Sequence, residues 1–141
     1  MGGPASQNNQ NNQNRTEQCR FYMHLIKVAE VSGSEKKLTQ AVLQITQMLG
    51  IYNAELARIL HLRCADIGAL SDAHKNIQVS TEAWARAIKY IEMYESLYYL
   101  CEGNEIKMNN WLRKKHKHLQ AIPLYLMVDE QKINQVIDVL K

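Results

Sequence analysis

Apolar residues recur at intervals of three and four along most of this chain, which is the spacing of one face of an α-helix. No segment shows the strict alternation of apolar and polar residues that is typical of a half-buried strand. Glycine and proline, which mark the turns of β-sandwiches and barrels, number only six and two among 141 residues. The sequence therefore predicts an all-α protein with about seven or eight helices.

The apolar stripes and their end signals locate the predicted helices. The first stripe runs from Cys19 to Ala29, and Ser32-Gly33-Ser34 closes it. The second runs from Leu38 to Leu49 and ends at Gly50, where a C-terminal glycine belongs. The remaining predicted helices cover 53–60, 64–73, about 81–101 behind a Ser80 or Thr81 cap, 105–113, a turn opened by Pro123, and a last helix capped by Asp129.

Residues 1–18 differ in composition from the rest of the chain. Residues 7–14, QNNQNNQN, are an unbroken Asn/Gln run with nothing to bury, so no burial offsets the entropy lost on ordering them. We expect a disordered tail over 1–18. An N-terminal helical region over 19–79, which contains the short helical pair 53–73, and a C-terminal module over 80–141 follow it.

Composition and charge limit the possible partners and compartments. Seventeen Lys and Arg against 14 Asp and Glu give a net charge of +3, which neither requires nor excludes a nucleic-acid partner. No apolar run is long enough for a transmembrane helix, and no secretory leader pattern is present. The three cysteines form an odd set without CxxC spacing, which argues against a disulfide framework. We therefore expect a cytoplasmic protein.

The chain offers no convincing catalytic or metal-binding set. His61 and Cys64 are three residues apart, but no second pair supplies the other ligands of a zinc site. No Gly-rich phosphate loop is present, and no nucleophile, base and orienting group can be picked out. We expect no enzyme, no cofactor and no metal.

Two short predicted helices, 53–60 and 64–73, are joined by His61-Leu62-Arg63. A small residue is needed inside the first helix so that the second can cross it closely, and Ala57 meets that need. His61 stands in the turn, where a positive φ is usual, and histidine enters the left-handed region more readily than most residues. The pattern AELARILHL resembles the Xre-type helix-turn-helix of bacterial regulators.

The second helix of this pair carries Asp66 and Asp72 and no basic residue, so nothing in it predicts a bidentate contact to a base. Arg63, His74 and Lys75 flank it and are the predicted contacts to DNA phosphates. An αα-hairpin that binds nothing is the alternative, because such hairpins are common in helical domains.

The second half of the chain has a distinctive order of elements. A long Tyr-rich helix ends at Leu100-Cys101-Glu102-Gly103, and a short helix carries Trp111-Leu112. A loop follows, Pro123 restarts a helix, and an amphipathic helix comes last. With the upstream helix-turn-helix pattern, this order makes residues 36–141 similar to the Xre/MbcA/ParS-type antitoxin family, whose toxin-binding domain has a W-L helix, a loop, a helix-restarting Pro and a final helix.

The resemblance implies a type II antitoxin. Its C-terminal module would bind a cognate toxin enzyme, typically an NAD-consuming RES-domain protein, and occlude the active site. Its helix-turn-helix would bind the operator of its own operon, and the self-association common in the family implies a homodimer or a toxin–antitoxin hetero-oligomer. The residues assigned to toxin binding on this basis are Trp111, Leu112, Arg113, Lys115, Pro123 and Leu126.

Several of these residues have a simpler alternative role. Trp111 and Leu112 are most simply core residues of a helical domain, with direct toxin contact as the alternative. The run 113–118 holds four formal positive charges. It is either a solvated loop or a functional patch, which would bind DNA phosphates or an acidic toxin surface.

Two other function classes stay open: a stand-alone helix-turn-helix regulator of transcription without a toxin, and a helical adaptor with neither role.

The tyrosines of the long helix divide by position. Tyr94 and Tyr98 lie on the same stripe as Trp84, so we expect them to pack in the core. Tyr90 and Tyr99 fall off that stripe. They are therefore predicted to serve a dimer or partner surface.

Overall fold

The computed structural model describes residues 23–141, and over those residues it consists of α-helices joined by short loops, without a strand. The prediction of an all-α fold is confirmed. The Asn/Gln-rich segment 1–18 and the residues up to 22 lie outside the described part of the chain. The helices, in chain order, are α1 Val28–Val31, α2 Glu35–Met48, α3 Asn53–Leu60, α4 Cys64–Ser71, α5 Glu82–Cys101, α6 Glu105–Arg113, α7 Pro123–Val128 and α8 Ile133–Leu140.

Several helices begin or end where the sequence predicts. The Thr81 hydroxyl accepts a hydrogen bond from a backbone N–H in the first turn of α5, and the Ser34 hydroxyl does so at the start of α2. Gly50, at a φ of 65°, follows the C-terminus of α2, as its position in the sequence predicts. Pro123 is the first residue of α7, where its missing N–H costs no helical hydrogen bond.

The long helix α5 lies at the centre of the fold. It packs against α1, α2, α3, α6 and α8, and its neighbours bury more than one of its faces. One continuous hydrophobic core results, and it extends from Met23 to Leu140. None of the helices in residues 23–141 is both long and apolar enough to cross a membrane.

Tyr90 is one of the most deeply buried residues, so the prediction that it lies on a partner surface is wrong. Thr46 donates its hydroxyl hydrogen to the Val42 carbonyl at 2.7 Å. The Tyr90 hydroxyl, 2.8 Å from Thr46 Oγ1, must therefore donate to that oxygen. Burial raises the pKa of Tyr90 well above its ordinary value. A single stripe cannot predict the buried positions of a helix that is covered from several sides.

The other three tyrosines follow the predicted division more closely. Tyr94 is fully buried and Tyr98 is partly buried against the core, whereas Tyr99 is 54% exposed. The Tyr94 hydroxyl donates to the backbone carbonyl of His24, which ties the first described segment to α5.

Two predicted helix boundaries are wrong. Residues 23–27 are not helical, although Met23 and Ile26 are buried three residues apart as a stripe would bury them. Instead, α5 holds this segment: the Val28 N–H donates to Glu95 Oε1 at 3.0 Å. Asp129 does not cap the last helix. It ends α7, where its carboxylate lies 3.5 Å from the Arg58 guanidinium, and α8 begins four residues later.

Candidate functional site

The pair α3 and α4 has the turn geometry that the sequence predicts. His61, directly after α3, has φ 59° and ψ 43°, in the left-handed region. The next N–H group, that of Leu62, donates to the Ala57 carbonyl at 2.8 Å and closes the turn. Ala57 itself is 3% exposed, so the small residue of α3 is buried. The two helices therefore pack closely across a left-handed turn.

The His61 side chain joins this turn to the C-terminal half. Its Nδ1 lies 2.8 Å from Glu82 Oε2, at the start of α5, and its Nε2 contacts Gln131 Oε1 in the loop before α8. The Gln131 amide nitrogen also donates to the Arg58 carbonyl at 3.4 Å, which fixes the orientation of that amide. The helix pair is therefore held against the rest of the molecule by polar contacts as well as by the core.

The predicted DNA contacts are not brought together as a free basic surface. Arg63 Nε and Lys75 Nζ lie 3.4 Å and 3.0 Å from the carboxylate of Asp66. Lys75, followed by the backbone and side chain of Arg63, lowers the pKa of Asp66 well below its ordinary value, so the carboxylate stays charged. His74 is exposed nearby. An acid thus compensates two of the three predicted DNA-binding residues.

A groove opens on the other side of the fold, between the C-terminal end of α5 and α6. Its apolar part consists of Leu100, which is 53% exposed, the half-buried indole of Trp111, and the buried Cys101. Its other lining residues are Lys107, Asn110, Lys114, Lys115 and His116. We call this surface the Trp111 groove. An exposed apolar strip with a cationic rim is a common arrangement for a protein-binding surface.

The charge of the Trp111 groove is uncompensated. None of its lining residues is acidic. Within residues 23–141, neither Lys107, Lys114 nor Lys115 has a carboxylate within ion-pair distance. The groove is thus a local concentration of positive charge on a chain whose net charge is only +3.

The basic loop after α6 is ordered by hydrogen bonds of its own. His116 Nδ1 accepts from the backbone N–H groups of His118 and Leu119 at 3.1 Å and 3.4 Å. Its backbone N–H donates to the Ala121 carbonyl at 2.9 Å. The His116 ring lies 5.4 Å from the Trp111 ring, measured between centroids, at a tilt of 59°. The loop therefore presents its lysines from a defined position beside the groove.

The six residues assigned to toxin binding separate into two sets. Trp111 and Lys115 line the Trp111 groove. Leu112, Pro123 and Leu126 are buried in the core, so any part they play in binding is to hold the fold.

Arg113 also has a structural contact. One terminal nitrogen of its guanidinium donates to the Leu49 carbonyl at 2.8 Å and to the Gly50 carbonyl at 3.2 Å. It thereby satisfies two backbone carbonyl groups just beyond the C-terminus of α2.

Sequence reasoning included Lys114 and His116 in a basic run over 113–118 but missed Leu100, Lys107 and Asn110 as parts of the same surface. The signal for Leu100 was its place off the buried stripe of α5, where an apolar residue has no core to enter. Cys101 is not a candidate nucleophile, because burial raises the pKa of its thiol. Across the described residues, no group of three or more His, Cys, Asp or Glu side chains could hold a metal ion.

No protein-family model matches this chain, and a search of curated proteins finds no match either. The pair α3 and α4 and the Trp111 groove are therefore the features that bear on function.

Proposed function

We propose that this protein is a noncatalytic antitoxin that neutralises a cognate toxin enzyme by binding it directly in the cytoplasm. The order of elements from α5 to α8, with Trp111-Leu112 on α6 and Pro123 at the start of α7, supports the proposal through its similarity to the Xre/MbcA/ParS-type antitoxins. An NAD-consuming RES-type enzyme is the kind of toxin that this similarity suggests. A homodimer or a toxin–antitoxin hetero-oligomer is the corresponding assembly.

The observation that carries the proposal is the Trp111 groove. Leu100 exposes about half of its surface beside an indole that is only half buried, although a monomer would gain by covering both. Tryptophan is among the residues that most often dominate binding energy at protein interfaces. Covering this strip with a partner would remove it from water.

Co-purification tests the proposal. The full chain is co-expressed with the product of the neighbouring reading frame, and we expect the two to purify together and the enzyme's toxicity to be relieved. Leu100→Asn should weaken the complex, because it removes apolar surface from the groove. Val79→Asn is the matched control: Val79 is 56% exposed, close to the 53% of Leu100, and lies outside the groove.

Two results would overturn the antitoxin proposal. One is a neighbouring product that neither purifies with the intact chain nor loses toxicity in its presence. The other is a loss of binding that is equal for Leu100→Asn and Val79→Asn. The absence of any complex would favour a helical adaptor or a stand-alone regulator.

A DNA-binding regulator is the second candidate, and the left-handed turn at His61 favours it. The charge on α4 works against it, since Asp66 pairs with both Arg63 and Lys75. If α4 binds operator DNA, we expect affinity to be weak for each subunit and to need dimerisation. Neutralising Arg63 and Lys75 together should then lower the salt slope by about two phosphate contacts.

Asp66→Asn is the complementary change. It releases both cations, and asparagine keeps a side-chain oxygen that can accept the Arg63 backbone N–H, as Asp66 Oδ2 does at 3.1 Å. If α4 faces DNA, it should tighten binding to the DNA upstream of the operon. Electrophoretic mobility shifts at two salt concentrations measure both variants, and unchanged shifts for both would rule out DNA contact through α4.

A further inference from the structure

We infer that the Trp111 groove takes an acidic segment of the toxin, with one apolar side chain seated against Leu100 and Trp111 and flanking carboxylates on the rim lysines. The inference rests on the proposed function and adds the chemistry of the partner. Two features carry it: the apolar strip and the cationic rim.

The spacing of the cations fits carboxylates on both sides of the apolar strip. Lys107 lies in the first half of α6, whereas Lys114 and Lys115 follow its last residue, and Trp111 lies between them. Lys107 and Trp111 are four residues apart and so occupy one face of the helix. Lys114 directly follows the helix, has an extended backbone and lines the groove together with Trp111. An apolar anchor at Trp111 therefore has a cation at each end.

An acidic partner would also offset the cost of removing the rim lysines from water. Covering the groove with an uncharged surface would take three ammonium groups partly out of water without a compensating charge, which is costly. Carboxylates placed at the rim would replace that hydration with charge-assisted hydrogen bonds. Since no acid of residues 23–141 performs this role, we assign it to the partner.

A single-stranded nucleic acid is the other polyanion that such a groove could attract, and the ring geometry disfavours it. Trp111, His116 and His118 follow one another at centroid distances of 5.4 Å and 5.8 Å. Their planes are tilted by 59° and 42°, so they do not form the open parallel platforms on which successive bases stack. The groove is better suited to side chains than to bases.

The chain offers a closely matched pair of variants for the test. Lys114→Glu/Lys115→Glu reverses two adjacent rim charges. Lys36→Glu/Lys37→Glu reverses two adjacent lysines at the start of α2, which are exposed, outside the groove, and without an ion-pair partner among the described residues. The two variants change the net charge equally, so a difference between them reports position.

The association of each full-length variant with the neighbouring-frame product is measured at about 50 mM and about 500 mM salt. We expect Lys114→Glu/Lys115→Glu to weaken binding at least about tenfold at low salt, and the difference from the native chain to shrink at high salt. Lys36→Glu/Lys37→Glu should stay within about twofold. Replacing acidic residues of the partner by lysine should restore binding to the groove variant only.

Each remaining outcome decides the question. If the native complex forms and both variants bind equally well, the acidic-segment inference is wrong and the antitoxin proposal stands. If the native chain forms no complex at all, the antitoxin proposal fails and the inference falls with it. If a labelled single-stranded oligothymidylate displaces the partner from the native chain and loses affinity for the groove variant, the groove binds nucleic acid and the inference is overturned.

Discussion

Nδ1 of His61 lies 2.8 Å from the Glu82 carboxylate, which joins the turn between α3 and α4 to the first residue of α5. The other ring nitrogen contacts Gln131 Oε1, and Gln131 has its amide nitrogen turned to the Arg58 carbonyl. The ring therefore lies between a carboxylate oxygen and an amide oxygen, which are both hydrogen-bond acceptors.

Stability should depend on pH through Glu82. Arg86, and then His61, lower the pKa of the Glu82 carboxyl below its ordinary value. Because the folded-state pKa is lowered, the contribution of the charged carboxylate to stability is present above the ordinary pKa of glutamate and is lost as pH falls through the folded-state pKa. We expect native protein to exceed Glu82→Gln in urea-unfolding midpoint at about pH 7, and the excess to shrink at about pH 3.

Glu82→Gln keeps the length and shape of the side chain and removes its charge. Glu30→Gln is the matched control, since Glu30 is exposed and has no ion-pair partner among residues 23–141. An excess that grows as pH falls, or that is the same for both variants, would contradict the lowered pKa of Glu82.

The buried hydroxyls of Thr46 and Tyr90 predict an order of stabilities. Thr46→Val leaves the Tyr90 hydroxyl hydrogen buried without an acceptor, which costs about 2 kcal/mol. Tyr90→Phe leaves Thr46 bonded to the Val42 carbonyl and loses one neutral hydrogen bond, at about 1 kcal/mol. Urea unfolding should give a larger loss of free energy for Thr46→Val. The double variant should lose less free energy of unfolding than the two single variants together. Equal losses would contradict the hydrogen bond between Thr46 and Tyr90.

Gly103 should not accept alanine. Its φ is 72°, and a Cβ there would lie 2.8 Å from atoms of the Tyr98 ring. Gly103→Ala should therefore lower the free energy of unfolding by about 2 kcal/mol or more, from backbone strain and the clash together. Gly33→Ala, where a Cβ meets nothing within 4 Å, is the control and should change stability little. Thermal melts followed by circular dichroism compare the two, and equal midpoints would contradict the prediction.

Arg113 should affect stability more than partner binding. Arg113→Met removes the hydrogen bonds to the Leu49 and Gly50 carbonyls, and we expect a loss of about 1 kcal/mol. Lys114→Met, one residue further along and without such a bond, should leave the unfolding midpoint nearly unchanged. For partner binding by the folded protein, we expect Lys114→Met to weaken the complex more than Arg113→Met does. If Arg113→Met weakened binding and spared stability, Arg113 would belong to the interface.

The sequence was sufficient for most helices because their signals are local. The Ser34 and Thr81 caps, Gly50, Pro123 and the left-handed His61 act through their own backbone neighbourhood. The errors occurred where distant groups decide. The segment 23–27 is held by side chains of α5, and Asp129 is drawn to Arg58 instead of to a helix N-terminus.

The candidate site divides in the same way. Trp111 and Lys115 could be found from the order of elements along the chain. Leu100 and Lys107 join them only because α5 and α6 turn back on each other at Gly103, and sequence spacing does not show that proximity. The pairing of Lys75 with Asp66 likewise depends on the path of the chain after α4, whereas Arg63 pairs with Asp66 across three residues of the first turn.

The helix α5 starts at Glu82, beside His61, and its last residues line the Trp111 groove. Twenty residues of α-helix are about 30 Å long. The turn between α3 and α4 and the Trp111 groove therefore lie near opposite ends of one helix. If both surfaces bind partners, the length of α5 sets the distance between them.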